Sequence, residues 1–115
     1  MSGASAPPSD PRGYGRALAA ILCYISQVRF EWSTRKAASN AKKHGVSFEE
    51  ASSAFADELG AYYADPLHDD RFVLIGYSSK PRLLYVVHAE VGQESIRIIS
   101  ARKATAHEKK RYETD

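Results

Sequence analysis

The sequence predicts an α+β domain: an antiparallel sheet of four to five strands, with two helices near its N-terminal end and one at its C-terminal end. Three observations carry that class. An aromatic segment, Phe30-Glu31-Trp32, runs straight into two consecutive helical stretches that each bring their own cap. Four segments rich in β-branched and aromatic residues follow, divided by turn residues. A capping box, Thr105 with Glu108, then opens a last helix near residue 106. The expected order is β-α-α-β-β-β-β-α.

Each element has a local reason. Ser33 is placed to cap a helix over residues 34–44, and Gly45 stops it at the C′ position. Ala37, Ala38, Ala41 and Asn40 make a narrow face of small side chains on that helix, suited to close packing on a sheet. Its charges are Arg35, Lys36, Lys42 and Lys43, with no acid among them. Ser47 opens a second helix over about 48–56, with Glu50 completing a capping box and Phe48, Ala51, Ala54 and Phe55 on one stripe that reads as core. Residues 61–64, 71–77, 83–89 and 95–101 read as strands. The Ser-Ser-Lys-Pro and Glu-Val-Gly-Gln-Glu segments between the later ones suggest consecutive hairpins. Helices on one side of such a sheet leave its other face partly open.

Composition bounds the function classes. A chain of 115 residues is one small domain. Residues 28–115 hold the patterned part, enough for one sheet and a few helices. Residues 1–16 are rich in Ser, Pro, Gly and Ala without hydrophobic period, and 17–25 are apolar for about two helical turns. Arg12 and Arg16 precede that run as in a secretory signal, but no small-x-small cleavage site follows before the domain begins. Residues 1–27 are therefore read as a disordered tail or an extension from an over-long reading frame, with translation starting at Val28. The single Cys23 excludes a disulfide framework and Cys-rich zinc sites, which fits a reducing cytoplasm. No apolar run approaches the roughly 20 residues of a membrane span.

The net charge of +2 conceals an asymmetry. Residues 45–70 carry seven acids and no Lys or Arg, whereas residues 97–112 carry six bases against Glu108 alone. Such separation focuses a field on a polyanion at one side, the alternative being two solvated faces.

The 30–32 segment, the Lys-Ala-Ala-Ser-Asn run at 36–40, residues 43–51 (Lys-His-Gly-Val-Ser-Phe-Glu-Glu-Ala) and residues 96–104 (Ile-Arg-Ile-Ile-Ser-Ala-Arg-Lys-Ala) together resemble the BrnT family of toxins. The resemblance covers roughly residues 28–113, with one departure: Ser33 stands where the family usually has Asp. It implies the RelE-like ribonuclease fold, with RNA held on the open face of the sheet. It also implies mRNA cleavage that inhibits translation, and neutralisation by a BrnA-like antitoxin of the ribbon-helix-helix type. Two toxins and two antitoxins would join in that complex, and DNA would be met only through the antitoxin.

The residue inventory suits metal-independent RNA cleavage, in which the 2′-hydroxyl attacks the neighbouring phosphate. That chemistry needs proton transfer and cations on the phosphorane, and no cofactor. Lys43 and His44 end the first helix, where His44 is a proton-transfer candidate or simply a cation at a helix C-terminus. Arg97 interrupts an apolar strand and can grip a phosphate, or pair with an acid. Arg102 closes the same strand, but parity puts it on the opposite face unless a bulge re-aims one of the two. His88 is a catalytic candidate or a packed core histidine; Tyr112 stacks on a base or packs on the sheet. Lys36, Lys42, Lys103 and Arg111 are RNA-binding candidates. His68, beside Asp69 and Asp70, reads as an exposed turn rather than a metal ligand. A non-catalytic RNA- or partner-binding module is the competing function. A Ser or Cys hydrolase has no Gly-x-Ser-x-Gly turn to support it.

Overall fold

The computed structural model describes residues 28–114, so the expectations for residues 1–27 lie outside the described residues. The elements are β1 (Arg29–Glu31), α1 (Thr34–His44), α2 (Phe48–Ser53) prolonged by a 3-10 turn (Ala54–Ala56), β2 (Ala61–Ala64), β3 (Phe72–Tyr77), β4 (Leu83–Val91), β5 (Ser95–Lys103) and α3 (Ala106–Thr114). Their order is the expected one. The five strands form one sheet in the order β1-β5-β4-β3-β2. Strands β2 to β5 are an antiparallel meander, whereas β1 lies at the edge and runs parallel to β5, with Glu31 opposite Arg97. The sheet is therefore mixed. A pairing between the two ends of the chain has no turn residues to announce it.

The caps act as their residue types dictate. The Ser33 hydroxyl accepts from the Lys36 N–H at 3.2 Å, and Gly45 sits in the left-handed region at φ 70 with its N–H on the Ala41 carbonyl. The Thr105–Glu108 box closes in both directions, at 2.9 and 3.1 Å. The Ser47 box closes in one direction only. Ser47 accepts from the Glu50 N–H at 3.0 Å, but the Glu50 carboxylate turns inward to Arg82. Arg82 grips both Glu50 oxygens, at 2.7 and 2.6 Å, and also donates to the Gly45 carbonyl. Ser78 donates to the same carboxylate at 2.7 Å. The arginine beside Glu50 holds its carboxyl below the usual range. Glu50 is thus a buried tie between the helices and the β3–β4 turn, not part of a solvated acidic face.

One side of the sheet packs on α1 and α2. Phe48, Ala51, Ala54 and Phe55 bury there against Leu74, Leu84, Val86, Ile96, Ile98 and Ala101. Each large side chain so removed from water contributes about 1.5–3 kcal/mol. Gly76 on β3 lets the 3-10 turn approach: a Cβ there would stand 3.1 Å from the Ala54 carbonyl. Helix α1 turns Ala37 and Asn40 to this layer, whereas Ala38 and Ala41 are exposed, correcting the expected small-residue face. The fastening is polar. Asn40 Nδ2 donates to the carbonyls of Ala101 and Val46 at 2.8 and 2.9 Å, and Oδ1 accepts from the Ala101 N–H at 3.1 Å. Because β1 stops opposite Arg97, the edge of β5 beyond it has no neighbouring strand among the described residues, and the Asn40 amide takes that strand's place.

Strand β5 carries the feature that decides the site. Its pairing with β4 slips by one residue: Val87 faces Ser100 while His88 faces Ile98, leaving Ile99 as a bulge. Ile98 and Ala101, three residues apart, consequently both enter the helix-side core. Arg97 and Arg102, five apart, both leave it.

Candidate functional site

Basic side chains occupy two separate surfaces. The first is the outer side of α1, where Arg35, Lys36, Lys42 and Lys43 are all exposed. His44 is partly covered and meets the negative end of the helix dipole, as do Lys42 and Lys43. Lys103 stands exposed at the end of β5.

The second surface is the sheet face turned away from α1 and α2. Phe30 packs into the helix-side core, so its neighbours Arg29 and Glu31 point the other way. Register then lays out the rest. Glu31 is beside Arg97, and Arg97 is beside Ala89. Phe72 pairs with His88, so Arg71, one residue earlier, continues the same row on the far side of Ala89. The next rows hold Val73, Val87 and Ser100, then Ile75, Tyr85 and Arg102. Arg97 forms an ion pair with Glu31, Nη2 to Oε2 2.6 Å, in a pair whose side chains are 51% and 38% exposed.

Helix α3 straps the β2–β4 end of this face. Arg102 lies over the Tyr85 ring at 4.0 Å and forks onto Glu108 with two bonds of 2.8 Å. The arginine holds the Glu108 carboxyl below its usual range. Arg111 lies 3.8 Å above the Tyr63 ring. Burial pushes the Tyr63 hydroxyl up to about 12, the neighbouring Tyr85 adding to the effect. Tyr112 meets Tyr77 edge-on at 5.3 Å and donates to Asp57 at 2.8 Å. Burial, then that carboxylate, raises the Tyr112 hydroxyl's pKa.

The fold therefore gathers Arg97, Arg102, Arg111 and Tyr112 on one face, the bulge supplying the condition that parity alone denied. Lys36, Lys42, Lys43 and His44 are not gathered with them. Helix α1 is fastened through Asn40 to the edge of β5 at Ala101, four residues along the strand from Arg97, and the convergence of Lys43, His44 and Arg97 on one phosphodiester stays an expectation. His88 also points to the helix side. It is 4% exposed, with its ring 4.8 Å from Phe55 and 6.1 Å from Tyr62. Burial pushes its pKa down to about 4, which leaves a neutral, packed imidazole at pH 7. The catalytic reading of His88 gives way to the core reading for that reason. His68 caps its turn, its Nδ1 3.3 Å from Asp65 Oδ2.

Sequence reasoning overlooked Arg71, Arg29 and Glu31 on the open face. Alternation through Arg71, Val73 and Ile75 was signal enough for the first. Arg29 and Glu31 could be placed only by the parallel β1–β5 pairing. Among the described residues, no cluster of three or more His, Cys, Asp or Glu is arranged to hold a metal ion, and no helix is long and apolar enough to cross a membrane.

Comparison with known proteins agrees with this architecture. A solved structure, the 1.1 Å crystal structure of the Brucella abortus ribonuclease toxin BrnT, superposes with a TM-score of 0.57. It shares 24% identity over 68% of this chain and 97% of that chain, and bears on the fold alone. Among curated proteins no sequence matches significantly. The family model described as "Ribonuclease toxin, BrnT, of type II toxin-antitoxin system" matches residues 32–108. That match takes in more than half of the chain, and the protein belongs to the BrnT family of type II toxin–antitoxin ribonuclease toxins.

Proposed function

We propose that this protein cleaves mRNA on the face of the sheet that α1 and α2 leave uncovered, without a metal ion, and so inhibits translation in the cytoplasm. The observation that supports this best is the bulge in β5, which turns Arg97 and Arg102 to the same side. In the proposed reaction the 2′-oxygen bonds to phosphorus and the bond to the 5′-oxygen breaks, giving a 2′,3′-cyclic phosphate and a 5′-hydroxyl. Arg97 holds the charge that gathers on the phosphorane. Glu31, already in contact with Arg97, takes the 2′ proton, and solvent water protonates the departing 5′ oxygen. Arg102 acts differently. Its fork onto Glu108 fixes α3, which presents Arg111 and Tyr112 to neighbouring nucleotides. Lys36, Lys42 and Lys43 steer flanking RNA from the outer side of α1.

The test is incubation of the full chain with single-stranded RNA in excess EDTA, beside the same RNA carrying 2′-deoxy positions. Cleavage of the first alone, ending in cyclic phosphate and lost in Arg97→Ala, is the expected result. Binding without cleavage would support the second reading, a non-catalytic RNA- or partner-binding module. The pairing of Arg97 with Glu31 and of Arg102 with Glu108 favours that alternative, since both guanidinia then have structural partners. A BrnA-like ribbon-helix-helix antitoxin in a 2:2 complex completes the proposal. Co-expression with the adjacent reading frame, followed by co-purification and rescue of growth, tests that part.

A further inference from the structure

We infer that Arg71 and Arg97 form a two-guanidinium cradle that holds a phosphate group of the RNA above Ala89. Register sets the geometry. Ala89 and Arg97 are paired across β4 and β5, and Arg71, the residue just before β3, extends their row by one step beyond the Phe72–His88 pair, on the open face. Two strand spacings put the Cα atoms of the arginines about 10 Å apart. A guanidinium forked onto phosphate oxygens keeps its central carbon about 4 Å from the phosphorus. One phosphate between two such side chains therefore needs a gap near 8 Å, which this row provides with slack for the arginine stems. The floor of the gap is a methyl group, because the residue between them is Ala89.

The state of Arg71 points the same way. Among the described residues it forms no ion pair, and its Nε is buried without a hydrogen-bond partner. A buried guanidinium N–H left without an acceptor is a costly arrangement. Phosphate oxygens would supply that acceptor. Asp65 lies opposite Arg71 in the β2 direction and attracts it electrostatically, while its carboxylate oxygens meet the Leu67 N–H and the His68 ring. At the other end of the row Glu31 holds Arg97, and a bound phosphate shares that guanidinium with it. The row reads acid, base, methyl, base, acid, which centres its positive potential on Ala89.

The inference rests on the ribonuclease reading for the identity of the ligand, and its test separates the two. Inorganic phosphate is titrated into the full chain while the arginine Nε–Hε resonances are followed. Shifts are expected at Arg71 and Arg97 and not at Arg82, which Glu50 already engages. Affinity for a 2′-deoxy-substituted RNA oligonucleotide is then expected to fall about tenfold in Arg71→Ala, consistent with loss of a charge-assisted contact. Arg71→Lys recovers only part of it, because the fork is lost. Ala89→Leu leaves both guanidinia in place, fills the gap and lowers affinity as well. Should phosphate leave the Arg71 resonance unmoved, or Arg71→Ala bind and cleave like the parent, the cradle is wrong while the cleavage reading survives. If instead both resonances shift and no RNA is cut, the cradle stands and the cleavage reading fails.

Discussion

Replacing Asn40 by alanine probes how the first helix is fastened to the sheet. The substitution removes three hydrogen bonds at a residue only 7% exposed: two donated to the carbonyls of Ala101 and Val46, and one accepted from the Ala101 N–H. Each such bond contributes about 1 kcal/mol net, so the loss is about 3 kcal/mol. Alanine recovers roughly 0.6 kcal/mol of helix propensity over asparagine. The expected destabilisation is therefore about 2–3 kcal/mol, which in a domain of this size lowers Tm by roughly 10–20 °C. Urea unfolding followed by circular dichroism measures it, and an unchanged m-value would show that the fold is otherwise kept. The amide of Ala101 should also lose much of its protection from hydrogen exchange, since its acceptor has gone. Ser39→Ala, on the exposed side of the same helix, is the control and should stay within about 0.5 kcal/mol of the parent. Should Asn40→Ala cost under about 1 kcal/mol with the Ala101 amide still protected, the amide is no substitute for a strand. Helix α1 would then be held by its apolar contacts alone.

Other perturbations follow from the same geometry. Glu50, held below its usual range chiefly by Arg82, favours the folded state above about pH 4.5, and that stability is lost as pH falls through the depressed folded value. Glu50→Gln should flatten the acid limb of the stability-versus-pH curve, as read by thermal melts between about pH 3 and 6. His88 has a depressed pKa too, pushed down to about 4 by burial. Its share of stability is complete above the unfolded value near 6.5, and about 3 kcal/mol of it fades between there and pH 4 as the unfolded chain takes up the proton. His88→Phe should remove that dependence and leave RNA cleavage intact; abolished cleavage in a folded variant would restore a catalytic role to His88. Tyr112→Phe removes the bond to Asp57 while keeping the contact with Tyr77. It should cost about 1 kcal/mol and raise exchange rates in α3 before those in the sheet.

Local chemistry determined much of this protein in advance. Ser33, Gly45, Ser47, Thr105 and Glu108 fixed where helices begin and end, because caps and left-handed stops act within four residues of themselves. The alternation and turn residues of 61–101 likewise placed four strands as neighbours in a meander. What the chain's order could not convey is anything that depends on contacts far apart in sequence. The parallel pairing of β1 with β5 brings Glu31 to Arg97, and no turn joins them. The Glu50 carboxylate answers to an arginine 32 residues away instead of its own capping box. Asn40 turns inward and Ala38 outward because, among the described residues, the edge of β5 is unpaired from where β1 ends, not because of their hydrophobicity. Above all, one inserted residue in the β5 ladder reverses the parity between Arg97 and Arg102. A bulge is set by how two strands twist against each other, so only the assembled sheet decides which face those arginines share.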